Sequence, residues 1–303
     1  MLLSYNDKMV NLELLFEQAQ RNIDLRDKLH YEVAEMLCTV IIREDPKNAV
    51  AYHNRGGSKA ELGKCEEAIL DFDKAIELEP ENTANAITYG ARGFTKYELG
   101  KFEEAIADYD KAIELDPESA TVFNNRGFAK QELGKLEEAV TDYSKAIELD
   151  PKCAAAYHRR GFAKQELGKL EEAITDYDKE IELDPKCDVA YNNKGSILVQ
   201  QGKYFEALVD LDKAIELDPK STHSYSWKGS ALEALGQLQE AKQCYQTALE
   251  QLQTIPEEKL HKYNYRHLIR CTEGLTRFGF NLSDKVNYYQ KLAKDKGFTE
   301  KDL

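Results

Sequence analysis

Acidic and basic residues recur at two equivalent positions along this chain. These two columns of opposite charge contain the side chains best suited to bind a ligand or take part in catalysis. The carboxylates are Asp71, Asp108, Asp142, Asp176 and Asp210, and the cations are Arg55, Arg92, Arg126, Arg160, Lys194 and Lys228. A row of carboxylates could bind metal cations. However, the two columns recur together, and a partly buried guanidinium needs a carboxylate partner. We therefore predict that the columns pair with each other, and that Arg126 and Arg160 each lie within hydrogen-bonding distance of an acid.

One further carboxylate stands where the other units of the chain have a small residue. Glu180 occupies a column that is otherwise alanine. Because an unpaired buried carboxylate would cost several kcal/mol, Glu180 must reach solvent or a cation. Lys194 is the expected cation.

The chain contains no recognisable pattern of catalytic residues. It has no HExxH, G-x-S-x-G or G-x-G-x-x-G motif. A recurring Leu-Gly-Lys triplet is only faintly like a phosphate loop, because the preceding glycine is at the wrong spacing and Cys, Phe or Leu follows the lysine. His53 and His158 share a column, but nothing supplies a third metal ligand at a plausible spacing. We expect no enzyme activity, no cofactor and no metal site.

Composition disfavours several classes of partner. The chain has 41 Lys and Arg against 55 Asp and Glu, and its net charge of −14 argues against binding to a phosphate backbone. No apolar run approaches the length of a membrane span, and the N-terminus lacks the basic and apolar regions of a signal peptide. The six cysteines are scattered without a CxxC pair, so we expect reduced thiols and a cytoplasmic protein.

The elements that position these residues repeat every 34 residues along most of the chain. A glycine after Arg or Lys marks each unit, at Gly56, Gly93, Gly127, Gly161, Gly195 and Gly229. A period of this length indicates stacked units that cannot bury their apolar faces alone. We expect Asp150-Pro151 to start the first helix of a unit, Gly134 to end such a helix through a positive φ, and Glu137-Glu138 to open the second helix.

The residues that carry this period resemble the tetratricopeptide repeat family. In one unit the matching residues are Tyr157, Gly161, Gly168, Ala173, Tyr177 and Pro185. The resemblance covers six units in residues 46–253, and it departs at the seventh position, where the family prefers Leu and this chain has Arg or Lys. It implies an all-α, right-handed α-solenoid (superhelix) of helix-turn-helix repeats. Residues 1–45 are then expected to form an N-terminal helical cap or degenerate repeat, and residues 254–303 to form C-terminal capping helices.

The resemblance also implies a ligand surface, because in this family the first helix of each unit lines a concave groove that binds extended or helical peptides. With Ala120 as position one of its unit, the groove positions are two, five, six, nine, twelve and thirteen. The expected binding residues are Phe94, Asn124, Asn125, Phe128, His158, Arg159, Phe162, Asn192, Asn193 and Trp227. Amides can bond a peptide backbone, and aromatic rings offer contact area. Two alternatives stay open: the phenylalanines could pack between neighbouring units, and the C-terminal segment could fold against Trp227.

The expected function is that of a scaffold or adaptor that binds a peptide or partner protein in the groove, without catalysis. Chaperone C-terminal tails are not expected ligands, because only Asn125 and Arg159 match the five-residue clamp of the subclass that binds them. Nucleic acids and membranes are not expected partners either. A microbial effector acting on a host protein, or a regulatory repeat subunit of an enzyme complex, remains the alternative.

Overall fold

The computed structural model describes residues 28–80 and 83–299, and all regular secondary structure in those ranges is helical. The helices are α1 (Lys28–Glu44), α2 (Ala49–Glu61), α3 (Cys65–Leu78), α4 (Asn85–Glu98), α5 (Phe102–Leu115), α6 (Ala120–Glu132), α7 (Leu136–Leu149), α8 (Ala154–Glu166), α9 (Leu170–Leu183), α10 (Asp188–Gln200), α11 (Tyr204–Leu217), α12 (Thr222–Ala234), α13 (Leu238–Leu252), α14 (Lys262–Arg277) and α15 (Ser283–Asp295). A 3₁₀ turn at Glu257–Lys259 precedes α14. Of the predicted N-terminal segment, residues 1–27 lie outside the described ranges.

Two of the three local signals mark the helix ends that were predicted. Gly134 follows α6 with a φ of 72°, a conformation that L side chains rarely adopt. Glu137 and Glu138 lie in the first turn of α7, where the positive end of the helix dipole stabilises acids. Both observations confirm the predicted turn between the two helices of a unit.

The prediction that Asp150-Pro151 starts the first helix of a unit is wrong. Asp150 is the C-terminal cap of α7, and α8 begins only at Ala154. The Oδ1 atom of Asp150 accepts a hydrogen bond from the Lys152 backbone N–H at 3.0 Å, so the side chain closes a turn. Aspartate and proline therefore end one unit of the chain and separate it from the next.

Glycine allows the two helices of a unit to approach each other. A Cβ atom on Gly127 in α6 would lie 2.8 Å from Cε1 of Tyr143 in α7. The Tyr143 ring is fully buried at this contact. Close packing of this kind explains why glycine occupies a helix interior, where helix propensity by itself would favour alanine over glycine by about 1 kcal/mol.

The chain divides into two compact units, each of which contains several repeats. We call residues 1–163 unit one and residues 164–303 unit two. In unit one, buried alanine and tyrosine side chains form small clusters between successive helices, such as that of Ala139, Tyr143 and Ala163. In unit two, a larger core surrounds Tyr245 and joins α13 to α14 through residues such as Leu252 and Leu268. The predicted fold class, an all-α repeat solenoid, is confirmed. None of the described helices has the length and apolar character needed to cross a membrane.

Candidate functional site

The charged columns pair with each other, as predicted for Arg126. Its Nε and Nη2 atoms donate to the two carboxylate oxygens of Asp142 at 2.9 and 2.6 Å, and its Nη1 atom donates to Asp110 at 2.7 Å. Lys130 adds a second cation 2.9 Å from Asp142, whose side chain is 4% exposed. The carboxylates of Asp142 and Asp110 are therefore already engaged by Arg and Lys side chains of the chain itself. Arg160 donates a hydrogen bond from Nη1 to Ser144 Oγ at 3.1 Å and lies over the ring of Tyr157.

The expected partner of Glu180 is wrong. Lys194 forms ion pairs with Asp178 at 2.8 Å and Asp210 at 3.4 Å. Glu180 instead accepts a hydrogen bond from the thiol of Cys187 at 3.2 Å. Burial raises the pKa of Cys187 to about 11, so this thiol stays protonated and can donate.

Histidines do not form a metal site in the part of the chain that the structure describes. No group of three or more His, Cys, Asp or Glu side chains there is arranged to hold a metal ion. His53 Nδ1 lies 3.0 Å from the hydroxyl of Thr88, and burial lowers the pKa of His53. This imidazole therefore contributes to the packing of α2 against α4.

An aromatic strip crosses the groove positions of three successive repeats in unit one. Phe94 stacks on Tyr97 with ring centroids 6.5 Å apart, and Tyr97 stacks on Phe128 at 5.0 Å. The Cζ atom of Arg159 lies 4.2 Å from the centroid of the Phe128 ring, within the range of a cation–π contact. We call these four residues, from α4, α6 and α8, the aromatic strip. Burial raises the pKa of Tyr97 to about 12, which keeps its phenol protonated.

A cleft of about 350 Å³ opens beside the Phe94 end of the strip. Ile87 and Phe94 of α4 form one wall, and Val122 and Asn125 of α6 form the other. The side chain of Phe94 is 48% exposed and that of Ile87 is 69% exposed. The cleft thus presents apolar surface to solvent, with the Asn125 amide on its lining.

Seven of the ten predicted residues lie in unit one, and their side chains differ in how far they are buried. Phe94 is exposed, whereas Asn125, Phe128, His158, Arg159 and Phe162 are half-buried. Asn124 is buried, and its Oδ1 atom has no hydrogen-bond partner. Phe94 and Asn125 are therefore the predicted residues that line the cleft.

The three remaining predicted residues lie in unit two, where other side chains contact them. Asn192 Oδ1 accepts a hydrogen bond from the Ser224 hydroxyl at 3.1 Å. Its Nδ2 atom lies 3.4 Å from Asn193 Oδ1. The third residue, Trp227, is half-buried and contacts α14 in the C-terminal segment.

Trp227 contacts the C-terminal segment, which is the second of the two alternatives considered above. The Arg270 guanidinium lies 3.4 Å from the centroid of its ring, and the His267 ring meets it edge-on at 6.1 Å. Burial, together with the nearby His223 and Arg270, lowers the pKa of His267 well below its usual value. Burial also lowers the pKa of Arg270 to about 10.

Two residues of this surface were missed by the choice of binding residues. Tyr97 stands at position twelve and Ile87 at position two, which are both groove positions in the family. The ten expected residues all come from positions five, six and nine, whereas the same repeat pattern also points to positions two and twelve. Tyr97 is the central ring of the strip, and Ile87 is the most exposed apolar side chain of the cleft.

Profiles of one repeat family match most of this region of the chain. Profiles described as "TPR repeat" match residues 93–134, 131–168 and 195–236. Others described as "Tetratricopeptide repeat" match residues 154–187, 49–82 and 222–251. Over 38 residues the chain is 53% identical to the human mitochondrial import receptor subunit TOM70. That match spans 12% of this chain and 6% of the receptor.

Solved structures of repeat proteins are similar over longer stretches. YrrB, described as a TPR protein with an unusual peptide-binding site, is 26% identical with a TM-score of 0.54. The similarity covers 62% of this chain and 95% of YrrB. MamA is 28% identical with a TM-score of 0.51, over 55% of this chain and 95% of MamA. A tetratricopeptide repeat protein from Parabacteroides merdae shares the fold over 86% of this chain and 98% of its own, with a TM-score of 0.59 and 20% identity.

Proposed function

The chain belongs to the tetratricopeptide repeat family, and on this premise we propose that it is a scaffold or adaptor that binds a peptide or partner protein without catalysis. The ligand binds along the aromatic strip and enters the cleft beside Phe94. The observation that carries this proposal is the pair of exposed apolar side chains, Phe94 and Ile87, on one wall of a cleft and at family groove positions. The similarity to YrrB, a TPR protein with a peptide-binding site, supports the same kind of ligand.

Unit one is the better candidate for ligand binding because its groove residues leave a surface open. In unit two, by contrast, α14 packs against Trp227, and Asn192 bonds to a neighbouring helix. An exposed phenylalanine beside an apolar cleft provides the contact area that binding hot spots use. The tyrosine and asparagine beside it supply polar groups for a peptide backbone.

The proposal includes the cytoplasmic location expected from the sequence. All six cysteines are free thiols in the structure, which is the usual state of cysteines in a reducing compartment. The charge pairs described above also engage the carboxylates that would otherwise be candidates for acid–base chemistry. Both observations fit a binding protein better than a secreted or catalytic one.

Selection from a random peptide library displayed on phage tests the proposal, with the full chain as the immobilised target. Phe94→Ala should weaken binding of the enriched peptides by at least about tenfold, because it removes the exposed ring of the cleft. Leu70→Ala is the matched control, since Leu70 is 68% exposed on the second helix of its repeat. No enrichment on the wild-type chain, or equal loss in both variants, would overturn the proposal.

A further inference from the structure

The second helix of the fifth repeat, α11, exposes two large apolar side chains on adjacent turns. Phe205 is 74% exposed and Val209 is 70% exposed. Residues four apart lie on the same face of a helix, so the two side chains form one ridge. This ridge lies on the second helix of a repeat, whereas first helices line the groove described above. Adjacent exposed apolar side chains of this size are typical of an interaction surface.

The fold does not account for a phenylalanine at this place. Four other repeats have glutamate there and one has glutamine, at Glu66, Glu103, Glu137, Glu171 and Gln239. An acid in the first turn of a helix interacts favourably with the helix dipole. Phe205 gives up that interaction in the first turn of α11 without being buried.

Beside the ridge lies a carboxylate that has lost the cation of the earlier repeats. In each of the first four repeats, a lysine on the first helix forms an ion pair with the glutamate equivalent to Glu206. These pairs are Lys59–Glu67, Lys96–Glu104, Lys130–Glu138 and Lys164–Glu172, at 3.3, 3.8, 3.6 and 3.4 Å. In the fifth repeat Leu198 replaces the lysine and is buried against Ala207 and Leu211 of α11. Among the described residues Glu206 forms no ion pair, and its side chain is exposed.

The sixth repeat shows the same change on α13. Leu232 replaces the lysine and is buried against Ala241. Glu240, the equivalent of Glu206, is exposed and has no ion pair within the described part of the chain. Leu238, two residues earlier, is also exposed. Unpaired carboxylates and exposed apolar side chains therefore occur together on both of these second helices.

We propose that α11 is a docking site for a basic amphipathic helix of a partner protein. The apolar residues of that helix pack on Phe205 and Val209, and its Lys or Arg pairs with Glu206. A ridge of side chains four residues apart fits between the ridges of a second helix. The unpaired carboxylate, in a chain of net charge −14, selects a basic partner by charge complementarity. The site shares no residue with the cleft beside Phe94, so the inference does not depend on the function proposed above.

The test uses a phage library in which the exposed face of one helix of a three-helix bundle is randomised, with the full chain as the immobilised target. Enriched helices are synthesised with a fluorophore and measured by fluorescence anisotropy. We expect them to carry apolar residues at helical spacing with Lys or Arg beside them. Phe205→Glu gives α11 the residue of four other repeats, so it should leave the melting temperature unchanged and weaken binding at least about tenfold.

A double-mutant cycle tests the ionic contact. Glu206→Gln should weaken binding about two- to fivefold, the range of an exposed ion pair. Replacing the Lys or Arg of the enriched helix by Gln should have the same effect, and the two changes together should cost no more than either alone. Added salt should weaken binding to the wild-type chain more than binding to Glu206→Gln.

The first repeat provides matched controls on α3. Glu67→Gln removes the equivalent carboxylate, which is paired with Lys59. Leu70→Thr removes an exposed apolar side chain at the position of Val209. Both changes should leave the affinity unchanged, whereas Val209→Thr should lower it.

Three results would overturn the inference. One is that no enriched helix loses affinity for Phe205→Glu, and another is that the enriched helices are neutral or acidic. The third is self-association in sedimentation velocity that Phe205→Glu abolishes, because the occupant would then be a second copy of the chain. Each leaves the groove function standing, since peptides that bind beside Phe94 are selected separately and should bind Phe205→Glu as tightly as the wild-type chain.

Discussion

At the scale of single residues, the paired charges explain why this chain departs from its family at the seventh position of the repeat. Arginine there spans two acids, Asp142 in its own repeat and Asp110 in the preceding repeat. A leucine at this position would bury apolar area but could not satisfy Asp142, which is almost fully buried. The substitution of arginine for leucine therefore depends on the acidic column across from it.

Asp142→Ala should lower the free energy of unfolding by about 3 kcal/mol, because it leaves Arg126 and Lys130 without their buried acceptor. Urea denaturation followed by circular dichroism measures the change. Asp110→Ala is the control, since the Asp110 side chain is 48% exposed and should contribute less than about 1 kcal/mol. Equal effects of the two substitutions would contradict the structural role of the buried acid.

The glycines within helices allow a second test at a single atom. Gly127→Ala should destabilise the protein by about 1–3 kcal/mol, because the added Cβ would lie 2.8 Å from the Tyr143 ring. Gly57→Ala, inside α2, meets nothing within 4 Å. It should stabilise the protein by up to about 1 kcal/mol through helix propensity. Thermal unfolding of the two variants decides the matter, and stabilisation by both would contradict the packing described here.

At the scale of elements, helix α14 packs against α12 through two histidines whose pKa values are lowered by burial, His267 and His223. His267 is buried beside His223 and Arg270, and burial together with these two groups lowers its pKa. The positive charge of Arg266 on the same helix also lowers the pKa of His267, and that of Arg270 lowers the pKa of His223. Protonation of His267 would therefore oppose the packing of α14 against α12.

Stability of this region should fall as the pH is lowered from 7 to 5. In the unfolded chain His267 binds a proton near pH 6.5, whereas in the folded chain it does so only at lower pH. The unfolded state thus binds more protons in this window, and each such histidine removes up to about 1.4 kcal/mol per pH unit. Urea denaturation followed by the fluorescence of Trp227, the one tryptophan of the chain, reports the change. His267→Gln should flatten the dependence, and an unchanged slope would contradict it.

At the scale of the whole molecule, the repeats make a structure in which helices contact their neighbours along the chain. The packing pairs are successive helices, and helices two places apart, within each compact unit. Stability in such an array is a sum of local and nearest-neighbour contributions, without one central core. Loss of one repeat therefore does not require loss of all.

Unfolding in urea should accordingly depend on the probe. Trp227 fluorescence reports on unit two, whereas circular dichroism at 222 nm averages over every helix of the chain. We expect the two transitions to have different midpoints, because each repeat in such an array is stabilised mainly by its nearest neighbours. Coincident transitions with the same midpoint and slope would show a single cooperative unit and contradict this expectation.

Sequence and structure contributed differently to the candidate site. Position counting selected Phe94 and Asn125, which line the cleft, since a helical repeat returns equivalent side chains to equivalent faces. It missed Tyr97 and Ile87 at two other groove positions, and it could not separate Trp227, which α14 contacts, from Phe94, which is exposed. Coverage of a side chain depends on residues far away in the sequence.

Local patterns were sufficient for the helical repeats, the glycine turns and the pairing of the charged columns, because each arises within one or two repeats and recurs with the period. They were insufficient where one repeat differs from the others. The partner of Glu180 and the burial of Trp227 depend on which side chains meet across separate helices. Such contacts are set by packing in three dimensions, because a periodic sequence specifies the faces of its helices without specifying what covers each face.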